Sequence, residues 1–337
     1  MLYVTTRNNR DVFTAYRAMQ ENRCSEGGQF LPFRHPSFTE EELETLLQKP
    51  YGQCIADILN LLFGTKLTGW DVDLCIGRSS IRVEPLQHKI LLAECWHTPG
   101  YRFNQVIACL ASRVAGGEKP FSGWVEIGIR TAVLFGIFAD LRRIGIVQAD
   151  FACLSGDFCM PISAWYAKRW GLPVGKIICC CNENNSIWDL LCHGQLRTDA
   201  VCVPTILPAA EITVPDHLER LIYEYGGIPE TQLYLEACRK GRSYCPSDLM
   251  LSKLRKDLYV SVVSTNRITA LIPSVYKSHG KLLSRATALS YGGLLDYRAK
   301  TGSTGSAILW SEEGPVSERT QIAEILGIPE DTLDELL

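Results

Sequence analysis

The stretch Phe151-Ala152-Cys153-Leu154-Ser155-Gly156-Asp157, read together with the residues up to Cys181, sets the fold class. Four apolar residues form a short strand, and Ser155-Gly156-Asp157 turns the chain. Pro161 falls in the first turn of a helix, where a backbone N–H would have no intrahelical partner, so its absence costs little. That helix runs to about Trp170, and Gly171 closes it. Val174–Cys181 is the next strand. Strand, turn, helix and strand make a βαβ unit, which predicts a parallel sheet covered by helices.

Elsewhere the same signals recur. Strands are predicted at 258–263 and 306–310, and two helices at the end, 317–326 and, after Gly327 and Pro329, 330–337. The N-terminal part reads as mostly helical. Thr39-Glu40-Glu41-Glu42 is a capping box, in which the Thr39 hydroxyl takes a free backbone N–H and Glu42 reaches back. Leu43, Leu46 and Leu47 then give one apolar face before Pro50 stops the helix, and Ile55, Ile58, Leu59 and Leu62 form a second such face. The chain carries no repeat or low-complexity tract, and Lys300-Thr301-Gly302-Ser303-Thr304-Gly305 is a loop.

The 337 residues suffice for one large α/β domain or two ordinary ones. An apolar fraction of 46% with 21% charged residues is that of a globular protein. A net charge of −3 without a basic run argues against nucleic acid or an anionic membrane as partner. The start has no signal-peptide layout and no apolar run could span a bilayer, so a cytoplasmic protein is expected. The 14 cysteines contain no C-x-x-C. Cys179-Cys180-Cys181 lie in a strand whose side chains alternate between faces, so they read as small apolar residues and not as a zinc site. Free thiols in a reducing compartment are expected.

A strand that runs into Ser155-Gly156 and then a helix start can bind an anion, because backbone N–H groups and the helix dipole face it. On this alone, an ordinary tight turn is the stronger reading. The wider chain adds a resemblance. Leu154-Ser155-Gly156-Asp157-Phe158-Cys159-Met160, followed by Tyr166-Ala167-Lys168-Arg169-Trp170-Gly171-Leu172-Pro173-Val174, is similar to the threonine synthase pattern P-S/T-G-N-F-G-N…A-K-x-M-G-L-P-V. Cys181-Asn182-Glu183-Asn184-Asn185 resembles the family's T/S-N-E-N-D/N, Leu207-Pro208-Ala209-Ala210-Glu211-Ile212 its S-P-A-M-D-I, and His217-Leu218-Glu219-Arg220-Leu221 its N-L/F-E-R-L. Tyr3-Val4-Thr5-Thr6-Arg7 and Gly27-Gly28-Gln29-Phe30-Leu31-Pro32 look like Y-x-S-T-R and D-G-G-L-F-V-P. Thr287-Ala288-Leu289 and Tyr297-Arg298-Ala299-Lys300-Thr301-Gly302 line up with H-T-A-V…Y-x-A-x-T-G. Motif order holds from residue 3 to about 315.

The resemblance implies a tryptophan-synthase-beta-like (fold type II) α/β architecture: a parallel sheet flanked by helices, a helical N-terminal segment and a reduced small domain. It also implies pyridoxal 5'-phosphate as cofactor. Ser155, Gly156, Asp157, Phe158, Cys159 and Met160 would cradle the phosphate, and Ser311 would meet the pyridine nitrogen. Implied boundaries are 1–80 for the N-terminal segment, 81–135 for the remnant of the lysine motif and small domain, and 136–337 for the large domain.

The departures carry the functional expectation. Glu94-Cys95-Trp96-His97-Thr98-Pro99-Gly100-Tyr101-Arg102-Phe103-Asn104 resembles E-L-F-H-G-P-T-x-A-F-K, whose lysine forms the Schiff base; here an amide stands there, and an amide cannot form an imine. Cys159 replaces a glycine, Asp157 and Met160 replace asparagines, and a carboxylate at 157 would repel a phosphate unless it is protonated or faces away. Ser284, Arg285 and Ala286 replace an acid–histidine pair, and Trp310-Ser311-Glu312-Glu313-Gly314-Pro315 stands for S-T-A-x-P, with Glu312 at the threonine. No S-G-D-T-G occurs between Gln105 and Asp150, so the small covering domain is read as deleted or reduced. Lys89 and Lys119 flank the motif and are read as surface residues, His97 as a structural histidine, and Arg102 and Arg285 as solvated arginines. The expectation is a non-catalytic threonine synthase homologue that binds a phosphorylated metabolite, a protein partner or a second copy of itself. The alternative is an active pyridoxal-phosphate lyase converting O-phosphohomoserine to threonine and phosphate.

Overall fold

A computed structural model describes residues 1–77, 81–97, 102–116 and 123–336. The N-terminal region pairs strands β1 (Leu2–Thr5), β2 (Phe13–Thr14) and β3 (Phe30–Pro32) in an antiparallel sheet of order β2-β1-β3. With them come helices α1 (Ala15–Gln20), α2 (Glu40–Leu47), α3 (Tyr51–Phe63) and α4 (Gly69–Ile76). The Thr39 capping box forms as predicted, with Thr39 and Glu42 each bonded to the other's backbone N–H. The small sheet goes beyond the sequence expectation. Short strands of this kind are specified by their partners, not by their own pattern.

The remainder comprises β4 (Arg82–Gln87), β5 (Ile90–Glu94), α5 (Phe103–Ala115), α6 (Trp124–Arg143), β6 (Ala149–Leu154), α7 (Cys159–Arg169), β7 (Val174–Cys181) and α8 (Ser186–His193), then α9 (Leu218–Lys240), α10 (Asp248–Asp257), β8 (Leu258–Val262), α11 (Thr265–His279), α12 (Arg285–Thr301), β9 (Ala307–Ser311) and α13 (Arg319–Leu326). The main sheet has the order β4-β5-β9-β6-β7-β8 and is parallel except for the β4–β5 pair. β9, the last strand in sequence, inserts between β5 and β6. The predicted β6–α7–β7 unit is present, and an α/β parallel sheet flanked by helices is the observed architecture.

Alternation along the strands feeds two cores. Phe151, Cys153, Cys179 and Cys181 face one core with α6 and α7, whereas Ala152, Ile178 and Cys180 face the other with α11 and α12. The three consecutive cysteines therefore cannot converge on an ion, and among the described residues no group of His, Cys, Asp and Glu is placed to hold a metal. Gly293 lets α12 approach β7 closely, since a Cβ there would run into the Cys180 sulfur.

Several expectations need correction. Cys75 and Cys109 form a disulfide that ties α4 to α5, with Cα atoms 5.4 Å apart, well within bridging range; the other cysteines are free. At the C-terminus only Arg319–Leu326 is α-helical. Pro315–Glu318 and Glu330–Glu335 are 3₁₀ turns, too short to do more than insert Leu333 into the core. Among the described residues no helix is long and apolar enough to cross a membrane.

Candidate functional site

A cavity of about 360 Å³ opens at the carboxyl ends of β6 and β9. Its walls come from the turn after β6 with the first residues of α7, the starts of α5 and α12, one side of α6, the segment 207–212, and the end of β9 with the chain leaving it. Ligand sites of parallel α/β sheets sit at this end of the strands, where loops and helix N-termini converge.

The β6–α7 turn is tightly built. Ser155 N–H donates to the Cys180 carbonyl at 2.8 Å and Phe158 N–H to the Ser155 carbonyl at 2.7 Å. The left-handed positions fall at Gly156 (φ +43°) and Phe158 (φ +72°); Cys159 is already helical. The left-handed residue beside the replaced glycine is Phe158, whose fully buried ring anchors the turn. Asp157 does not face away. Its Oδ1 accepts the Cys159 N–H at 2.9 Å, one of the donors that a helix start would offer to an anion.

Opposite the turn, Arg130 of α6 is 5% exposed. Its Nε and Nη2 donate to Glu126 Oε1 at 3.2 and 2.9 Å, and Nη2 also reaches Asn104 Oδ1 at 3.4 Å. Nη1 meets Glu312 and lies 4.0 Å from the Met160 sulfur. The guanidinium also sits 5.5 Å from the Phe103 ring centroid. Glu312 accepts the Trp310 indole N–H at 2.8 Å as well, so it is fixed from two sides.

No family model matches the chain. Threonine synthase-like 1 of Homo sapiens is 27% identical over 162 residues, covering 45% of this chain and 22% of that protein. Threonine synthase of Pseudomonas aeruginosa is 26% identical over 141 residues, 41% of this chain and 30% of that protein. The chain therefore spans less than a third of the curated relatives it matches. The structural similarity runs further. A pyridoxal-phosphate-bound threonine synthase from Brucella melitensis superposes with a TM-score of 0.85 at 18% identity, covering 100% of this chain and 94% of that one. Yeast threonine synthase gives 0.81 at 16% identity, covering 97% and 90%.

This chain has the threonine synthase fold.

In this threonine-synthase-like chain the anticipated cofactor contacts divide. Ser155, Gly156, Asp157, Cys159 and Met160 line the cavity, and Phe158 lies beneath it. Ser311 is 3% exposed and sits behind the wall, its hydroxyl bonded at 2.8 Å to Thr287, which is bonded at 2.8 Å to Ser284. Asn104, expected at the lysine position, reaches the cavity through the first turn of α5. Lys89 precedes β5 at the opposite end of the sheet, about 16 Å away for five strand residues. Residues 98–101 of the motif and Lys119 lie outside the described residues. His97 bonds Glu94 at 2.6 Å and stacks on Trp96, which gives the structural histidine a partner. Arg102 is exposed as expected, but Arg285 is not solvated: it holds Glu318 at 3.3 Å and the Ile206 carbonyl.

Sequence reasoning misses Arg130, Glu126 and Glu318, and it names Thr287 only as part of a matched motif. A signal exists for the first two, since Glu126 and Arg130 stand four apart in the otherwise largely apolar run 124–141 and charges there must pair. Other matched motifs serve as pins. Asn184 bonds Val203 through both amide atoms, at 2.9 and 2.7 Å, and Asn182 bonds Thr205 at 2.9 Å, holding the segment that brings Leu207 to the cavity.

The lining does not fit pyridoxal phosphate. Among the described lining residues there is no lysine, a carboxylate occupies the Cys159 N–H at the start of α7, and Glu126, Asp157, Glu312, Glu313 and Glu318 make the wall acidic.

Proposed function

We propose that this chain is a non-catalytic threonine synthase homologue that uses the cleft between β6, β9 and α6 to bind a ligand. Asn104 carries the reading. An amide occupies the position that the family's lysine would hold, and the Arg130 guanidinium hydrogen-bonds it. A lysine ammonium entering the cleft would meet that cation, and Lys89 has no route there from the far end of the sheet. The division at 81–135, with that segment as what remains of a covering domain, belongs to the same proposal, as does a cytoplasmic location.

The test is to purify the protein with excess pyridoxal phosphate, record visible absorbance before and after borohydride, and map any reduced adduct by mass spectrometry. The expected result is no aldimine band and cofactor that washes away. A single adduct on a buried lysine would replace this reading with the active lyase acting on O-phosphohomoserine.

A further inference from the structure

Among the described lining residues, five carboxylates face one guanidinium, that of Arg130. That guanidinium is already engaged by the Glu126 and Glu312 carboxylates. Its contacts to Glu126, Asn104, Glu312 and Met160 account for all five N–H groups. Arg285 offsets Glu318 from behind the wall. Glu313 is half-buried, accepts only a 3.5 Å contact from Ser317 among the described residues, and is faced by Arg102 from the exposed side. Burial raises its pKa, with Glu318 and Glu312 adding to the rise and Arg102 opposing it.

Ser155 supplies an independent observation. It is 6% exposed and lines the same cavity, and its hydroxyl has no hydrogen-bond partner among the described residues. A hydroxyl on a cavity wall that has no partner within the protein is open to a donor or acceptor from a ligand. Among the described residues no group of three or more His, Cys, Asp or Glu is placed to hold a metal ion. The volume suits a small organic molecule.

We infer that the cavity binds a small aliphatic amine, its ammonium group seated among Glu313, Asp157 and the Ser155 hydroxyl, and does not take phosphate-bearing molecules. The inference rests on the non-catalytic reading, because it needs the cleft free of an imine-linked cofactor.

Isothermal titration of the full chain with 1,4-diaminobutane at low salt tests it, with inorganic phosphate, pyridoxal phosphate and calcium chloride titrated separately. A saturable diamine isotherm is expected, with none of comparable affinity for the other three. Glu313→Gln should weaken it about tenfold, the scale of one hydrogen bond to a charged group. Glu313 is partly exposed, and circular dichroism of the variant confirms that it folds. Tighter binding of phosphate, pyridoxal phosphate or calcium overturns the inference, as does a diamine isotherm that is absent or unchanged in Glu313→Gln. A borohydride-reducible lysine adduct is a separate outcome and removes the non-catalytic reading itself.

Discussion

Two regions of this molecule bury charge, and they do it to opposite ends. Where the N-terminal sheet meets α9, Glu219 is 3% exposed and accepts from Thr6 at 2.5 Å and from Arg7 Nε and Nη2 at 3.1 Å each. Beside it, Arg220 is fully buried and donates to the Phe30 carbonyl at 3.0 Å and to His217 Nδ1 at 2.5 Å. These residues belong to motifs that match threonine synthase, and their geometry makes them a staple. In the cavity the same kind of pairing occurs, but there Arg130 joins Asn104 and Glu312, two residues that depart from the pattern the sequence resembles. The staple ties the N-terminal sheet to α9, whereas the cavity pairings join α5, α6 and the chain leaving β9. Motif matches in this chain therefore speak first of architecture.

The largest effect should come from the staple. Glu219→Ala leaves Arg7 and Arg23 without their buried partner, and denaturant unfolding should show a loss of about 3 kcal/mol. A loss below about 1 kcal/mol on the same scale would mean that the motif is not structural.

A pH series separates the two regions by sign. Burial first, and then Arg220, Arg130 and Arg23, hold His217 well below its usual pKa. The unfolded chain therefore takes up a proton near pH 6.5 that the folded chain refuses, so stability falls as pH drops below about 6.5, by up to about 1.4 kcal/mol per pH unit. Glu313 runs the other way: with its folded pKa raised, its contribution is present at low pH and is lost as pH rises through that pKa. Unfolding midpoints at about pH 7.5 and 5.5 should show the His217 loss, and His217→Gln should flatten it. An unchanged slope in that variant would show that His217 is not its source.

The smallest effect lies in the turn after β6. Asp157→Ala removes the acceptor of the Cys159 N–H and should cost about 1 kcal/mol, as other lost helix caps do. It should also raise the affinity for inorganic phosphate, because a donor is freed and a carboxylate leaves. If phosphate affinity stays unchanged, the Asp157 side chain is not what closes this turn to anions.

Much of this was legible in the residues alone. The β6–α7–β7 unit, the Thr39 capping box and the opposed faces of Cys179, Cys180 and Cys181 arise from local periodicity and capping chemistry, which neighbours in sequence settle between themselves. The departure at Asn104 is likewise chemical and needs no coordinates. Tertiary structure alone decided the rest. β9 enters the sheet between β5 and β6, Cys75 comes within reach of Cys109, Ser311 disappears into a hydroxyl chain, and Arg130 crosses from α6 to meet Asn104 and Glu312. Each of these joins residues far apart in the chain. Burial determines such pairings, because a charge or hydroxyl withdrawn from water must find whatever partner the packed fold brings to it.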